Sequence, residues 1–193
     1  MAMPRTDPAA ADGFAELERL WYELEVPKGV RAELIDGELV VSPTGSVWHS
    51  GAVDELMDQL FELKRRHGWR FHTYLTTHIP PTRERLIPDL MVAPKDASPF
   101  GECELLSPGA LLVAEVVSPW SQRRDREVKP RAYAQGGVPL YLLIDRLDKP
   151  PAVTLFSQPG EDGYGKRQAA AAGQPLRLPE PFGIALDTAR LLG

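Results

Sequence analysis

A carboxylate stands in the middle of the most apolar segment of this 193-residue chain. The segment Ala110–Val117 reads Ala-Leu-Leu-Val-Ala-Glu-Val-Val, and a run that is apolar at nearly every position is typical of a strand buried on both faces of a sheet. Glu115 interrupts this run. An unpaired carboxylate in such a place is strongly destabilising unless a cation or hydrogen bonds compensate. Glu115 is therefore a candidate for a functional site.

A second carboxylate, Asp89, interrupts the strand-like run Ile87–Val92 in the same way. Either acid alone is more often a residue at a strand end or one half of an ion pair. Two acids in two apolar strands, with a basic segment directly after the second, favour convergence on one cation instead. Mg²⁺ suits such a site, because it takes oxygen ligands and is commonly held by one or two carboxylates with substrate phosphate. The sequence therefore predicts a Mg²⁺ or Mn²⁺ site at Asp89 and Glu115.

The segment that follows the Glu115 strand is basic, although the chain as a whole has a net charge of -5. A local basic segment can steer a polyanion toward an acidic protein. The commoner meaning of such a run is a solvated helix face. The basic residues between Ser121 and Arg131 are Arg123, Arg124, Arg126, Lys129 and Arg131, against the acids Asp125 and Glu127.

Lys129 is the member of this segment with a candidate catalytic role. Asp125, Lys129 and Tyr133 are spaced by four residues, so they would share one face of a helix. A lysine beside a metal site can orient the attacking water and offset the charge that develops on a phosphate. The alternative is an exposed ion pair with a partly buried tyrosine. Pro130 disfavours helical geometry at Lys129, so we expect the helix to begin at Pro130 or to bend there.

Apolar periodicity and turn residues predict an α/β or α+β fold, with a mixed β-sheet flanked by helices. Residues 1–12 are expected to form a disordered arm and residues 13–193 a single domain. The remaining expected elements are a helix through Phe14–Leu24, a hairpin over Ala32–Val41 with its turn at Asp36-Gly37, a helix from Val53 to about His67, strand character over Trp69–Ile79, a helix over Gln122–Gln135, a strand over Val138–Ile144 and a C-terminal hairpin of Ala152–Phe156 with Tyr164–Ala170.

Cysteine content and hydropathy indicate a cytoplasmic protein. Cys103 is the single cysteine, so an internal disulfide is excluded and a reducing compartment is compatible with the sequence. No apolar run approaches the roughly 18 residues that a membrane-spanning helix requires. The first residues also lack the basic-then-apolar order of a signal peptide. We therefore expect no membrane partner.

A set of motifs stands in a characteristic order between about Leu24 and Asp145. The matching segments are Ala32–Pro43, His49, Ile87–Leu90, Glu115–Pro119, Asp125, Lys129, Tyr133 and Gly137–Asp145. In this order they resemble the Uma-type restriction endonuclease family, which belongs to the PD-(D/E)XK nuclease superfamily. The resemblance implies the restriction-endonuclease-like fold and a metal-dependent phosphodiesterase site.

The resemblance also implies roles for individual residues. The Pro-Asp pair that ends at Asp89 matches the first motif of the superfamily, and Glu115 matches the acid of the second. Val117 stands where the superfamily has its lysine, which is a departure from the pattern. The Uma-type family supplies that lysine from the following helix, where Lys129 stands. Glu33 matches an early glutamate often found near such sites, which completes the expected catalytic set.

Further residues are expected to contact substrate, namely His49, Arg123, Arg124 and Tyr133. His49 lies at the start of the second predicted helix, where it would touch phosphate or metal. The alternative reading of His49 is a polar residue that begins a helix. The expected partners are DNA and, in a homodimer, a second copy of the chain.

Three functions stay open at this point. Intact Asp89, Glu115 and Lys129 favour a Mg²⁺-dependent DNA endonuclease. The acidic net charge and the valine at position 117 favour a nuclease-fold protein that has lost catalysis and serves in binding or assembly. A hydrolase of small phosphoesters is the third, because no basic surface interleaved with aromatic residues, as single-stranded nucleic acid requires, is visible in the sequence.

Overall fold

A computed structural model describes the backbone of residues 8–193 and the side chains from residue 13 onward. Residues 1–7 of the expected N-terminal arm lie outside the described residues, and residues 8–12 belong to the first helix. None of the helices in the described part of the chain is both long enough and apolar enough to span a membrane. The α-helices are α1 (Pro8–Glu23), α2 (Val47–His67), α3 (Lys129–Gln135) and α4 (Thr188–Leu192).

The strands of residues 8–193 fall into two large sheets and one small one. They are β1 (Val30–Ile35), β2 (Glu38–Pro43), β3 (Arg70–His72), β4 (Thr76–Ile79), β5 (Glu84–Leu86), β6 (Leu90–Ala93), β7 (Pro99–Phe100), β8 (Glu104–Leu106), β9 (Leu112–Val116), β10 (Leu140–Asp145), β11 (Ala152–Gly160), β12 (Gly163–Ala171), β13 (Leu176–Arg177) and β14 (Ala185–Leu186). The first sheet has the order β2-β1-β5-β4-β8-β7, and the second has the order β12-β11-β10-β9-β6-β3.

Both large sheets are mixed, which confirms the expected architecture. β4 runs parallel to β8 in the first sheet, and β9 runs parallel to β10 in the second. The other pairs within these two sheets are antiparallel. The strands are thus divided between two six-stranded sheets, a division that the periodicity of the sequence did not indicate.

The two faces of the second sheet bury two separate cores. Along β6, Leu90 and Val92 pack with residues of α2 and α4, whereas Met91 packs with residues of α3 and of the first sheet. Successive side chains of a strand point to opposite faces. Glu115 therefore shares the face of Val113, which belongs to the core on the α3 side.

Both predicted hairpins are confirmed. β1 and β2 pair over their whole length around a turn in which Asp36 and Gly37 have φ angles of 52° and 73°. A tight two-residue hairpin turn requires positive φ angles at both central residues, and an Asp-Gly pair adopts this conformation readily. At the C-terminal end, β11 and β12 pair from Ala152 with Ala171 to Gly160 with Gly163.

Two other expectations need correction in detail. Trp69–Ile79 is not one strand: it bends at Tyr74, which has a φ of 59°, so β3 joins the second sheet and β4 joins the first. The predicted helix over Gln122–Gln135 is helical throughout, but it contains a π-helical turn, Arg124–Val128, before α3. The change of helix type falls at Lys129, one residue before Pro130, and Lys129 keeps helical φ and ψ angles of -61° and -41° although a proline follows it.

Candidate active site

Asp89 and Glu115 are brought side by side by the pairing of β6 with β9. The antiparallel register places Leu90 opposite Ala114, so the preceding Asp89 lies opposite Glu115. Asp89 Oδ2 accepts a hydrogen bond of 2.8 Å from the backbone N–H of Val116, which holds the carboxylate against β9. Both side chains are buried. The two anomalies of the apolar pattern therefore mark one place in the fold.

Two cationic or ionisable side chains enclose the Asp89 carboxylate. Arg31 Nη1 on β1 lies 2.8 Å from Oδ1, and His49 Nε2 in the first turn of α2 lies 2.8 Å from Oδ2. Burial by itself raises the pKa of Asp89. The neighbouring His49 and the charges of Arg31 and Lys129 outweigh burial, and they hold the pKa of Asp89 below its usual range. Asp89 is therefore ionised throughout the physiological range.

Glu115 has a different environment, because its contacts are on one oxygen. Lys129 Nζ donates to Glu115 Oε1 at 2.9 Å, and the Tyr133 hydroxyl donates to the same atom at 3.1 Å. Among the described residues, nothing donates a hydrogen bond to Glu115 Oε2, although this atom is buried. Burial raises the pKa of Glu115 well above its usual value; Lys129 opposes this, and the negative charges of Asp89 and two further acids reinforce it.

Lys129 is the centre of the cluster. Its ammonium lies 3.1 Å from Glu33 Oε1 on β1 and 3.7 Å from Asp125 Oδ1, one turn earlier in the helical segment. Burial lowers the pKa of Lys129, but the charges of Glu115, Glu33 and Asp125 outweigh it and raise the pKa, so this lysine is protonated. Glu33 is held in place by the backbone N–H of Ile87, which donates to Oε1 at 2.8 Å.

Asp125 is buried, whereas the sequence left open an exposed ion pair with Lys129. Its backbone oxygen accepts a hydrogen bond of 2.7 Å from the hydroxyl of Tyr141. Burial raises the pKa of Asp125 to about 6, against the opposing charge of Lys129 and a hydrogen bond from Ser121. The shared helix face that the spacing predicted is thus present, and it points into the protein.

The buried cluster has more acidic than basic side chains. Among the described residues, the carboxyl groups of Asp89, Glu115, Glu33 and Asp125 face the arginine and lysine side chains of Arg31 and Lys129. With all four carboxyl groups ionised, two negative charges have no arginine or lysine to balance them. Such an excess, with the bare Oε2 of Glu115, suits a divalent cation, which is commonly held by one or two carboxylates and water. Among the described residues, no group of three or more His, Cys, Asp or Glu side chains is arranged to hold a metal ion, so two carboxylates are the most that the cluster offers.

A cavity of about 470 Å³ opens onto this cluster. Arg31, Glu33, His49 and Lys129 line it, whereas Asp89 and Glu115, which three of these residues contact, are not among the lining residues. Of the two arginines expected to contact substrate, Arg124 lines this cavity. The other, Arg123, is exposed outside the lining, and its Nε lies 3.9 Å from Glu127 Oε2.

The position of His49 depends on the loop before α2. Ser46 caps this helix, and its hydroxyl accepts a hydrogen bond from the backbone N–H of His49 at 3.3 Å. A Cβ atom at Gly45 would lie only 2.6 Å from the His49 imidazole. Glycine at position 45 therefore allows the ring to reach Asp89.

The structure brings together seven of the residues that the sequence singled out, and it adds others that sequence reasoning missed. Those seven are Glu33, His49, Asp89, Glu115, Asp125, Lys129 and Tyr133. Arg31 was missed, although its spacing of two from Glu33 places both on one face of β1, which is the signal that could have identified it. Gly45 was also missed, and no local signal marks it, because the atom it accommodates lies on the following helix.

Comparison with known proteins identifies the family and the fold of this chain. The family model Uma2, described as "Putative restriction endonuclease", matches residues 14–189. A solved structure described as a "putative nuclease belonging to DUF820", from Anabaena variabilis ATCC 29413, has a similar fold with a TM-score of 0.69. It shares 16% sequence identity, and the alignment covers 89% of this chain and 94% of that one. The comparison with curated proteins found no match. Because the family model spans nearly the whole sequence, this chain belongs to the Uma2 family of restriction-endonuclease-like proteins.

Proposed function

We propose that this protein is a metal-dependent endonuclease that hydrolyses phosphodiester bonds of DNA. The observation that carries the proposal is the buried carboxylate oxygen Oε2 of Glu115, which has no hydrogen-bond donor among the described residues. It belongs to a cluster with more acidic than basic side chains, beneath a cavity that Arg31 and Lys129 line. Buried titratable groups with shifted pKa values beside a cavity are typical of functional sites.

Asp89 and Glu115 are the residues that would hold Mg²⁺ or Mn²⁺. Glu115 offers its bare Oε2, and each oxygen of Asp89 can accept more than one contact, so Arg31 and His49 need not leave. A divalent ion at such a site polarises a phosphoryl oxygen and lowers the pKa of water. Tyr133 and the backbone N–H of Val116 orient the two carboxylates for this role.

The other residues of the cluster act on the phosphate and on water. Lys129 is protonated and lines the cavity, so its ammonium can stabilise negative charge on the phosphoryl group and position the attacking water. Glu33 lies 3.1 Å from Lys129 Nζ and fixes its position. Arg124 and His49 also line the cavity, where they are placed to contact the DNA backbone.

A second candidate is a nuclease-fold protein that binds or assembles without catalysis. The side chain of Lys129 is only 2% exposed and is surrounded by three carboxylates. A cluster of this kind can join β1, β9 and the helical segment as a structural ion network with no metal at all. The hydrolysis of a small phosphoester is a third candidate, because the cavity volume lies in the usual range for small ligands.

The test is cleavage of supercoiled plasmid in Mg²⁺, in Mn²⁺ and in chelator. We expect wild type to nick DNA only with metal, and Asp89→Asn, Glu115→Gln and Lys129→Met to lose nicking. Glu62→Gln on the exposed side of α2 is the matched control, and it should cleave like wild type. Equal nicking by Glu115→Gln and wild type would contradict the proposal. Hydrolysis of p-nitrophenyl phosphate without DNA cleavage would favour the small-phosphoester candidate.

The expected cytoplasmic location and the expected homodimer stay predictions.

A further inference from the structure

Trp120 is an exposed tryptophan at the edge of the candidate active-site cavity. It follows Ser118 and Pro119 in the loop between β9 and the π-helical turn, and it lines the cavity while 80% of its surface is exposed. An indole this accessible is unusual in a folded chain, because tryptophan is highly buried on average. Its ring is therefore available to a ligand that enters the cavity.

Two arginines that have no carboxylate partner among the described residues line the same cavity as Trp120. Arg124 Nη2 donates to the backbone oxygen of Trp120 at 3.2 Å, and neither Arg124 nor Arg146 forms an ion pair among the described residues. The Arg146 guanidinium lies 4.8 Å from the ring centre of Trp48, a second tryptophan that lines the same cavity. Both cations are therefore free to meet an anion.

The lining of the cavity includes two basic side chains that the buried carboxylates do not engage. Arg31, Arg124, Lys129 and Arg146 all line it, but Arg31 and Lys129 are paired with the buried carboxylates, which leaves Arg124 and Arg146 for an anion. These two cations stand in a chain whose net charge is -5. The sequence showed no basic surface interleaved with aromatic residues, but the fold assembles one from three separate segments, around Trp48, Trp120 and Arg146.

We propose that this cavity binds a nucleotide of an unpaired DNA strand, with its base stacked on Trp120 and its phosphates held by Arg124 and Arg146. This inference rests on the proposed nuclease function and names its substrate class. The cavity volume of about 470 Å³ suits one nucleotide and not a duplex. In a duplex the base faces are covered by their neighbours, so an exposed indole can stack on a base only at an end, at a gap or after the base has flipped out.

The test measures binding by fluorescence anisotropy in chelator, so that no strand is cut. One probe is a fluorescein-labelled oligothymidylate of about 12 nucleotides, a length within the usual site size for single strands. The other is a blunt-ended hairpin duplex that carries the same label. We expect wild type to prefer the single strand. Trp120→Ala should weaken single-strand binding roughly 5- to 150-fold, which is the usual effect of losing one base–aromatic stack. Trp120→Phe should retain most of the wild-type affinity for the single strand, because phenylalanine also offers an aromatic face.

Further variants separate stacking from charge. Arg124→Gln and Arg146→Gln should each weaken the binding of both probes. Each should also reduce the slope of log affinity against log salt concentration by the amount expected for about one phosphate contact. Phe61→Ala on α2 is the matched control, because this ring is 47% exposed and does not line the cavity. It should bind both probes like wild type.

The outcomes separate this inference from the proposed function. Equal binding of the oligothymidylate by wild type and Trp120→Ala, or a wild-type preference for the duplex, would overturn the inference even if plasmid cleavage is observed. Single-strand binding that depends on Trp120 would support it even if no metal-dependent cleavage occurs. Light scattering covers the remaining case: if Trp120→Ala abolishes a wild-type dimer and leaves oligonucleotide affinity unchanged, Trp120 belongs to an interface between copies and the inference is wrong.

Discussion

Asp89 and Glu115 lie opposite each other on paired strands, yet the pKa values of their carboxylates are shifted in opposite directions. The pKa of Asp89 lies below its usual range because the contact with His49 and the charges of Arg31 and Lys129 outweigh burial. The pKa of Glu115 lies above its usual range because burial dominates and only one of its oxygens is hydrogen-bonded. Neighbouring carboxylates with separated pKa values are typical of sites where the two groups have different roles.

Metal binding should follow from this asymmetry. We expect weak Mn²⁺ binding by wild type, because two carboxylates leave most ligand positions to water. The variants Asp89→Asn and Glu115→Gln should lose it, and Glu62→Gln should retain it. At a hundredfold excess over Kd, Mn²⁺ should raise the free energy of unfolding of wild type by about 2.7 kcal/mol. Titration calorimetry and urea unfolding measure the two effects, and equal Mn²⁺ binding by the Asp89→Asn/Glu115→Gln double variant and wild type would rule the site out.

Glu115→Gln should leave the metal-free protein as stable as wild type or more stable. Its raised pKa means that the ionised carboxylate is disfavoured in the folded state, and the neutral amide removes repulsion with Asp89. The amide oxygen can still accept from Lys129. Thermal melts in chelator give the comparison. A large drop in Tm for Glu115→Gln would instead make Glu115 a structural ion-pair partner of Lys129.

Replacing Lys129 should affect both stability and cleavage. Lys129→Met keeps the volume but leaves Glu115, Glu33 and Asp125 without their shared cation, so the free energy of unfolding should fall by about 3–5 kcal/mol. Adding Glu115→Gln should recover part of that loss, whereas plasmid cleavage should stay absent in both variants. Lys166→Met on the exposed side of β12 is the control. Wild-type cleavage by folded Lys129→Met protein would exclude a catalytic role for this lysine.

The stability of the metal-free protein should depend on pH through Asp125. Its pKa is raised to about 6 in the folded state from an ordinary value of 3.8, so the folded state keeps a proton that the unfolded state loses. The free energy of unfolding of wild type, minus that of Asp125→Asn, should therefore decrease by on the order of 1–3 kcal/mol as pH rises from about 4 to about 6. Above about pH 6 the difference should stay constant. Urea unfolding at pH 4 to 8 measures this difference, with Asp58→Asn on α2 as the control. A difference that does not change with pH would contradict the assignment.

Two glycines offer a matched test of His49. A methyl group at Gly45 would collide with the His49 imidazole, whereas a methyl group at Gly51 meets nothing within 4 Å. Gly45→Ala should displace the ring from Asp89 and lower plasmid cleavage about tenfold or more, the loss expected when one positioning group moves by about an ångström. Gly51→Ala should cleave like wild type and be slightly more stable, since alanine favours a helix. The imidazole resonance of His49 should shift in Gly45→Ala only, and identical spectra for both variants would contradict the predicted collision.

The residues that could be identified from the sequence are those that break a local pattern. Glu115 and Asp89 are carboxylates in apolar strands, and Lys129 follows at helical spacing from Asp125, so period and composition are enough to mark them. The hairpin at Asp36-Gly37 was predictable for the same reason, because its turn chemistry is local. The family resemblance added Glu33, which no local anomaly marks.

Residues that act through long-range contacts could not be identified in this way. Arg31 looks like an ordinary strand residue until β1 is packed beside β6, and Trp120 and Arg146 lie on loops that only the second sheet brings to one cavity. The division of Trp69–Ile79 between two sheets likewise depends on tertiary structure, since β3 pairs with β6 whereas β4 pairs with β5 and β8. The local sequence pattern therefore determined which charged side chains are buried and need a partner. Tertiary packing decided which residues are those partners, because ion pairs and cavities depend on distances in space that sequence separation does not encode.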